Sequence, residues 1–219
     1  MDNKTSIATI IGATGLIGSH ILKQLCADST FSEIRVVVRR PFEYPDAKVK
    51  IVLLKFTDAD ALRDAITGSD VVFCAIGTTR SQTPDLQEYR KVDQDIPVNT
   101  ALISAATGVR SFQLVSSIGA NAESSNFYLQ IKGEVELAVA ELQIPSINIF
   151  RPSLLLGERS KPRLAERIAA VLMKPFYFLI PDKQKPIEAI CVARAMIQAA
   201  KVQKPGVNVY HYTEMMQSL

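Results

Sequence analysis

The chain has 219 residues, 47% hydrophobic and 21% charged, the size and balance of one globular α/β domain with a small appendage. Its formal net charge of +3 is too slight to argue for nucleic acid, and the aromatic residues do not interleave with a basic stripe. Three scattered cysteines, Cys26, Cys74 and Cys191, form no CxxC pair, which argues against a disulfide frame or a zinc site and fits a reducing compartment.

In chain order, short β-branched runs predict strands at Ser6–Ile11, Ile34–Arg39, Val49–Leu54, Val71–Ile76, Phe112–Ser116 and Ser146–Phe150. Between them, amphipathic stretches predict helices at Leu16–Cys26, Ala59–Ile66, Leu86–Ala106 and Tyr128–Leu142. Strands alternating with helices imply βαβ units, and right-handed crossovers then give a doubly wound parallel sheet, a Rossmann-type α/β fold. Beyond Phe150 the pattern changes. Leu164–Met173 and Ala189–Ala200 are expected to be helical and Val207–Tyr212 a late strand. Arg151–Lys185 carries eight Lys/Arg against three Asp/Glu, either a solvated face or a rim attracting anions. It is expected to form a small C-terminal cap over the carboxyl ends of the strands. The apolar run Ala169–Ile180 is interrupted by Lys174 and Pro175, so no membrane span is expected. The first residues lack a secretory layout, and a cytoplasmic location is expected.

The first strand runs straight into Gly12-Ala13-Thr14-Gly15-Leu16-Ile17-Gly18 and then into a helix. Gly12 permits the sharp exit from the strand, Gly15 lets a pyrophosphate approach the backbone, and Gly18 lets the helix pack close to the sheet. The free amides of Leu16 and Ile17 at the helix start, with the Thr14 hydroxyl, suit phosphate. The spacing is GxxGxxG, not the commoner GxGxxG. The second strand ends in Arg39-Arg40 where a site for NAD would place an acid for the ribose 2′-hydroxyl. Two guanidiniums there suit a 2′-phosphate, which predicts NADP(H) over NAD(H).

Tyr128-Leu129-Gln130-Ile131-Lys132 is a YxxxK. Four residues apart on a helix, phenol and ammonium share a face. A neighbouring cation favours the phenolate of a group whose ordinary pKa is about 10, which suits Tyr128 to deliver a proton to a carbonyl being reduced. Lys132 could also bond the nicotinamide ribose. Chance alone supplies about 0.4 such matches among six tyrosines and thirteen lysines, and Tyr44-Pro45-Asp46-Ala47-Lys48 is one, disqualified by its proline. The position of Tyr128, opening a helix shortly after the strand that ends in Ser116-Ser117, distinguishes it. A hydroxyl there could hold the substrate oxygen as alkoxide charge develops.

Together the glycine loop, the strand-end serines and the YxxxK resemble the short-chain dehydrogenase/reductases. More narrowly they resemble the atypical branch that includes the oxidoreductase Tat-interacting protein and its bacterial relatives. The resemblance is carried by Phe73-Cys74-Ala75-Ile76-Gly77-Thr78-Thr79-Arg80, Val115-Ser116-Ser117-Ile118-Gly119-Ala120, Ser124–Glu136 and Phe150-Arg151-Pro152. It implies one NADPH-binding Rossmann domain over residues 1–219, with 151–185 as its substrate-side segment. It implies a catalytic set of Ser117, Tyr128 and Lys132, Ser116 being the less favoured serine. It also places Gly77 along the cofactor and Pro152, in Arg151-Pro152-Ser153-Leu154, over the nicotinamide. Two positions depart from the pattern: Lys55-Phe56 stands where many relatives carry Asp, and Asp93 where relatives often carry Asn.

The expected activity is reduction of a small carbonyl substrate by NADPH. The alternative is an NADPH-responsive regulatory or sensor protein without turnover, and a third option, a flavin-reductase-like protein, would not need Tyr128 and Lys132. His20 and His211 have no metal-like partners in sequence and are expected to be packing or surface residues. Cys74 is expected to be a buried small hydrophobe. Glu134 and Glu136 belong to a helix face and need no catalytic role. The long helices Leu86–Ala106 and Tyr128–Leu142 could pair with a second copy of the chain.

Overall fold

The computed structural model describes residues 5–157 and 185–218. Seven strands form one parallel sheet: β1 (Ser6–Ile11), β2 (Phe31–Val38), β3 (Val49–Leu53), β4 (Val71–Cys74), β5 (Ser111–Val115), β6 (Ser146–Phe150) and β9 (Gly206–Tyr210). Their order is β3-β2-β1-β4-β5-β6-β9, and every neighbouring pair is parallel. The chain therefore reverses its winding between β3 and β4, which leaves a crevice at the carboxyl ends of β1 and β4.

Helices cover both faces. α1 (Leu16–Ala27) and α6 (Ala189–Val202) lie on one, α2 (Ala59–Ile66), α4 (Ile96–Ala106) and α5 (Phe127–Ala140) on the other. Ile10, Phe73 and Phe150 pack under Ile21, Val192 and Met196, whereas Ile11, Val72 and Phe112 pack under Leu62, Ala101, Ile131 and Val135. Burial on both sides explains why the strands are near-continuous apolar runs rather than alternating ones. Each such side chain contributes about 1.5–3 kcal/mol by leaving water. Local signals set the helix starts. Asp58 accepts from the Ala61 amide at 3.0 Å, and Asn126 accepts from the Tyr128 and Leu129 amides at 3.0 and 3.2 Å. The last helix is α7 (Tyr212–Gln217).

The strands keep their expected places and shift at their ends: β4 stops at Cys74, short of Ile76, and β9 spans Gly206–Tyr210 rather than Val207–Tyr212. The larger correction concerns the expected single helix Leu86–Ala106. It is α3 (Leu86–Arg90), a π-helical turn (Lys91–Asp95) and α4. Pro97 has no N–H to give the Asp93 carbonyl four residues back, and the Ile96 N–H instead reaches five back to Lys91. The expected helix Leu164–Met173 lies outside the described residues. The two ends of that stretch are fastened together: β7 (Leu155–Leu156) pairs in parallel with β8 (Ile187–Glu188), and the Ser153 hydroxyl donates to the Lys185 carbonyl.

Candidate active site

The glycine loop turns at the sheet's crevice. Gly12 adopts φ +92°, and a Cβ there would stand 2.7 Å from the Ala75 carbonyl, so the exits of β1 and β4 touch backbone to backbone. A Cβ on Gly18 would stand 2.1 Å from the Gly12 carbonyl oxygen. This contact seats α1 against the loop and admits no other residue. The first turn of α1 has no side-chain cap and no acid, and Thr14 and Gly15 beside it are exposed. Its amides and its positive dipole end are thus left for an outside acceptor, a cradle that fits a pyrophosphate. Arg39 and Arg40 follow directly on β2, exposed, and among the described residues neither is in an ion pair.

The chemical half of the site lies across the crevice. Asn126 starts α5 and so fixes the phase at which Tyr128 and Lys132 emerge. Tyr128 is 37% exposed, whereas Lys132 is 5% exposed, its Nζ 5.9 Å from the Tyr128 ring centroid. Lys132 Nζ meets Asp93 Oδ1 at 3.0 Å, and Asp93 is 1% exposed. The second oxygen, Oδ2, accepts from the Thr78 amide at 2.7 Å. Burial opposes the lysine's charge most strongly, but Asp93, then Tyr128, outweigh it and hold the amine above the usual lysine range. Below this pair the Cys74 thiol is pushed up to about 12 by burial, so it is a neutral filler. Burial and then Asp93 also push up the Tyr89 phenol, whose hydroxyl donates to the Thr78 carbonyl at 3.4 Å.

The two serines separate sharply. Ser116 is buried and its hydroxyl donates to Glu136, while Arg151 grips the same carboxylate through Nε at 3.0 and 3.1 Å and through Nη2. That network ties the end of β5, the middle of α5 and the end of β6 together. Ser117 is half-buried, its hydroxyl making one weak bond to the Ile118 carbonyl at 3.3 Å. The Ile118 amide donates to the Pro152 carbonyl at 2.9 Å, so Pro152 is held to the serine loop. Gly77 lies at the mouth of β4, where a Cβ would stand 3.3 Å from Asp93 Oδ1.

The structure thus gathers Gly77, Tyr128 and Lys132 around Asp93, and Ser117 with Pro152 on the adjoining loop. Gly12–Gly18 and Arg39-Arg40 form the separate cradle. Three residues gain a place here that the sequence did not assign them. Glu136 continues the Tyr128–Lys132 stripe at the same four-residue step, a signal that this helix face is buried and polar. Asp93 follows from the π turn that Pro97 betrays. Gly133 lets α5 touch the loop after β5, since a Cβ there would be 2.1 Å from the Ala122 amide nitrogen. Among the described residues no group of His, Cys, Asp and Glu is placed to hold a metal ion, and no helix is long and apolar enough to cross a membrane.

Residues 12–141 match the family described as NAD(P)H-binding. The protein HTATIP2 of Rattus norvegicus is 34% identical over 203 residues, covering 90% of this chain and 81% of its own length. The mitochondrial protein FMP52-1 of Scheffersomyces stipitis is 33% identical over 221 residues, covering 95% and 96%. Among solved structures, a UDP-N-acetylglucosamine 4-epimerase from Methanobrevibacter ruminantium M1 superposes with a TM-score of 0.71 at 17% identity, covering 95% of this chain and 77% of its own. MoeE5, solved with UDP-glucose and NAD, gives 0.71 at 17% identity over 97% and 80%. At that identity these structures speak to the fold alone.

Proposed function

The chain belongs to the NAD(P)H-binding family, with relatives named HTATIP2 and FMP52, and from that premise we propose that it is an NADPH-dependent reductase of a small carbonyl compound. The observation that supports this most is the Tyr128–Lys132 face of α5, with the lysine's charge secured by a buried carboxylate, set across the crevice from an uncapped helix start.

The amides of Leu16 and Ile17, Gly12, Gly15 and Thr14 would hold the pyrophosphate of the cofactor, and Gly77 and Pro152 would flank its far end. Arg39 and Arg40 would take the 2′-phosphate, which favours NADP(H) over NAD(H). When bound, the cofactor supplies hydride to the carbonyl carbon. Tyr128 releases its phenolic proton to the carbonyl oxygen as negative charge builds there, and Lys132 stabilises the phenolate left behind. Ser117 donates its hydroxyl to the same oxygen, while Ser116, engaged with Glu136, holds the strand end that presents it. Three free thiols, one fully buried, suit a reducing compartment.

Tyr128→Phe tests the assignment. Assayed against a panel of aldehydes and ketones, the wild type should oxidise NADPH and the variant should lose at least about 100-fold in kcat, with NADPH affinity kept within about twofold. An unchanged rate refutes Tyr128 as proton donor. A wild type that binds NADPH and turns over nothing favours the sensor alternative.

A further inference from the structure

We infer that Arg80 selects an anionic substrate: its guanidinium, on the loop after β4, is placed to hold a carboxylate or phosphate carried by the compound whose carbonyl Tyr128 serves. The inference deepens the reductase reading and rests on it for its kinetic arm, whereas its binding arm needs no turnover.

Arg80 is exposed but held. The Gln82 and Thr83 amides both donate to the Thr79 carbonyl, at 2.9 and 2.8 Å, and the Thr78 and Thr83 hydroxyls meet at 2.8 Å, so the loop is a closed turn. Arg80 Nη1 donates to the Pro84 carbonyl at 2.8 Å, and the guanidinium carbon lies 5.9 Å from the centre of the Phe127 ring. Phe127 opens α5 immediately before Tyr128. A guanidinium has five N–H donors in a planar fork, and the carbonyl leaves most of them for a ligand. Because the ring and the carbonyl already restrict the side chain, less freedom is lost when an anion arrives. The charge balance points the same way. Phe127 carries a second guanidinium, that of Arg90, at 5.5 Å. Arg90 is neutralised by Glu134 at 2.7 Å, and Lys132 by Asp93 at 3.0 Å. Among the described residues Arg80 meets no carboxylate, so this side of the crevice keeps one unbalanced positive charge at its rim. Tyr89, edge-on to Phe127 at 5.6 Å, lies within electrostatic reach of both Arg80 and Tyr128, so the guanidinium and the proposed proton donor flank one buried phenol. The contacts of Arg80 are with this α3 and α5 side and not with Gly12–Gly18, so the anion it suits is one that the substrate brings rather than a phosphate of the cofactor. That anionic group takes no part in the hydride and proton transfers and leaves unchanged with the product.

The test uses the full chain and a set of benzaldehydes of similar shape: 4-carboxybenzaldehyde, 4-formylphenyl phosphate and the neutral methyl 4-formylbenzoate. In the wild type, kcat/KM with NADPH should be at least about tenfold higher for one or both anions than for the ester, and the better anion tells carboxylate from phosphate. In Arg80→Gln the anion-to-ester ratio should fall about tenfold, through KM rather than kcat, while NADPH affinity stays put. A wild type that does not favour the anions overturns the inference, and so does a ratio that Arg80→Gln leaves unmoved. An equal weakening of NADPH binding also overturns it, since Arg80 would then read the cofactor. If no aldehyde is reduced, the reductase reading fails and binding decides. Calorimetry of the chain loaded with NADPH should then show 4-(hydroxymethyl)benzoate, which cannot react with that form, binding about tenfold more weakly to Arg80→Gln than to the wild type. No binding to the wild type, or equal binding to both, overturns the inference.

Discussion

The cradle between β1 and α1 is made of backbone, and the pocket between the π turn and α5 is made of buried charge. In the cradle, the geometry depends on atoms that are missing: Gly12 and Gly18 are pressed carbonyl to Cα, and the helix start is left bare. In the pocket, it depends on side chains that would be costly to bury singly and are buried in company, Lys132 with Asp93, and Glu136 with Ser116, the first pair tied to the Thr78 amide and the second to the half-buried Arg151. One half fails when something is added, the other when something is taken away.

Three substitutions would break or sharpen that contrast. The largest effect belongs to Gly18→Ala. The added methyl meets the Gly12 carbonyl oxygen at 2.1 Å, backbone against backbone, with no flexible end to yield. We expect a loss of more than about 4 kcal/mol in urea unfolding, or no folded protein. A loss under about 1 kcal/mol would show that the loop can open and that the cradle is not limited by backbone contact.

Next is Lys132→Met, which strands the Asp93 carboxylate. Breaking a buried pair from one side costs about 3–5 kcal/mol, and the denaturation midpoint should fall accordingly at unchanged slope. A cost below about 1 kcal/mol is what an exposed pair gives, and would collapse the distinction between the two halves. Lys132 is raised above its ordinary value, so this stabilisation is complete below the unfolded lysine pKa and is lost as pH rises through the folded one. The gap between wild type and variant should therefore close only in strongly alkaline solution.

The smallest effect belongs to Arg39→Ala. It should leave stability unchanged and weaken NADPH binding about tenfold, roughly 1.4 kcal/mol, while NADH binding stays put. Equal losses for both nucleotides would mean that Arg39 does not read the 2′-phosphate.

The same division governs what could be read from the sequence. The cradle is local: a strand, a GxxGxxG turn and a helix start lie within a dozen or so residues, and the reasons for each glycine are visible from spacing. Tyr128 and Lys132 are legible because a helix repeats every 3.6 residues. The pocket's partners are not local. Asp93 meets Lys132 only after α3 and α5 have packed on the same face of the sheet. Ser116, Glu136 and Arg151 come from three elements. Their mutual contact shows only once the fold closes. Asp93 registered as a departure from a pattern, though Pro97, four residues on, marked the place where the expected helix could not continue regularly. The family resemblance held for the NAD(P)H-binding fold. Arg39 and Arg40, on which the proposed preference for NADP(H) rests, are exposed and without an acidic partner among the described residues.

The π turn also has a genetic consequence. It accommodates one residue more than regular winding would, so removing a single codon between Lys91 and Asp95 would rotate α3 and α4 relative to each other by about 100°. Asp93 and Lys132 would no longer meet. An in-frame loss of three nucleotides would thus unpair the buried lysine with no alteration to the tyrosine, the lysine or the glycine loop.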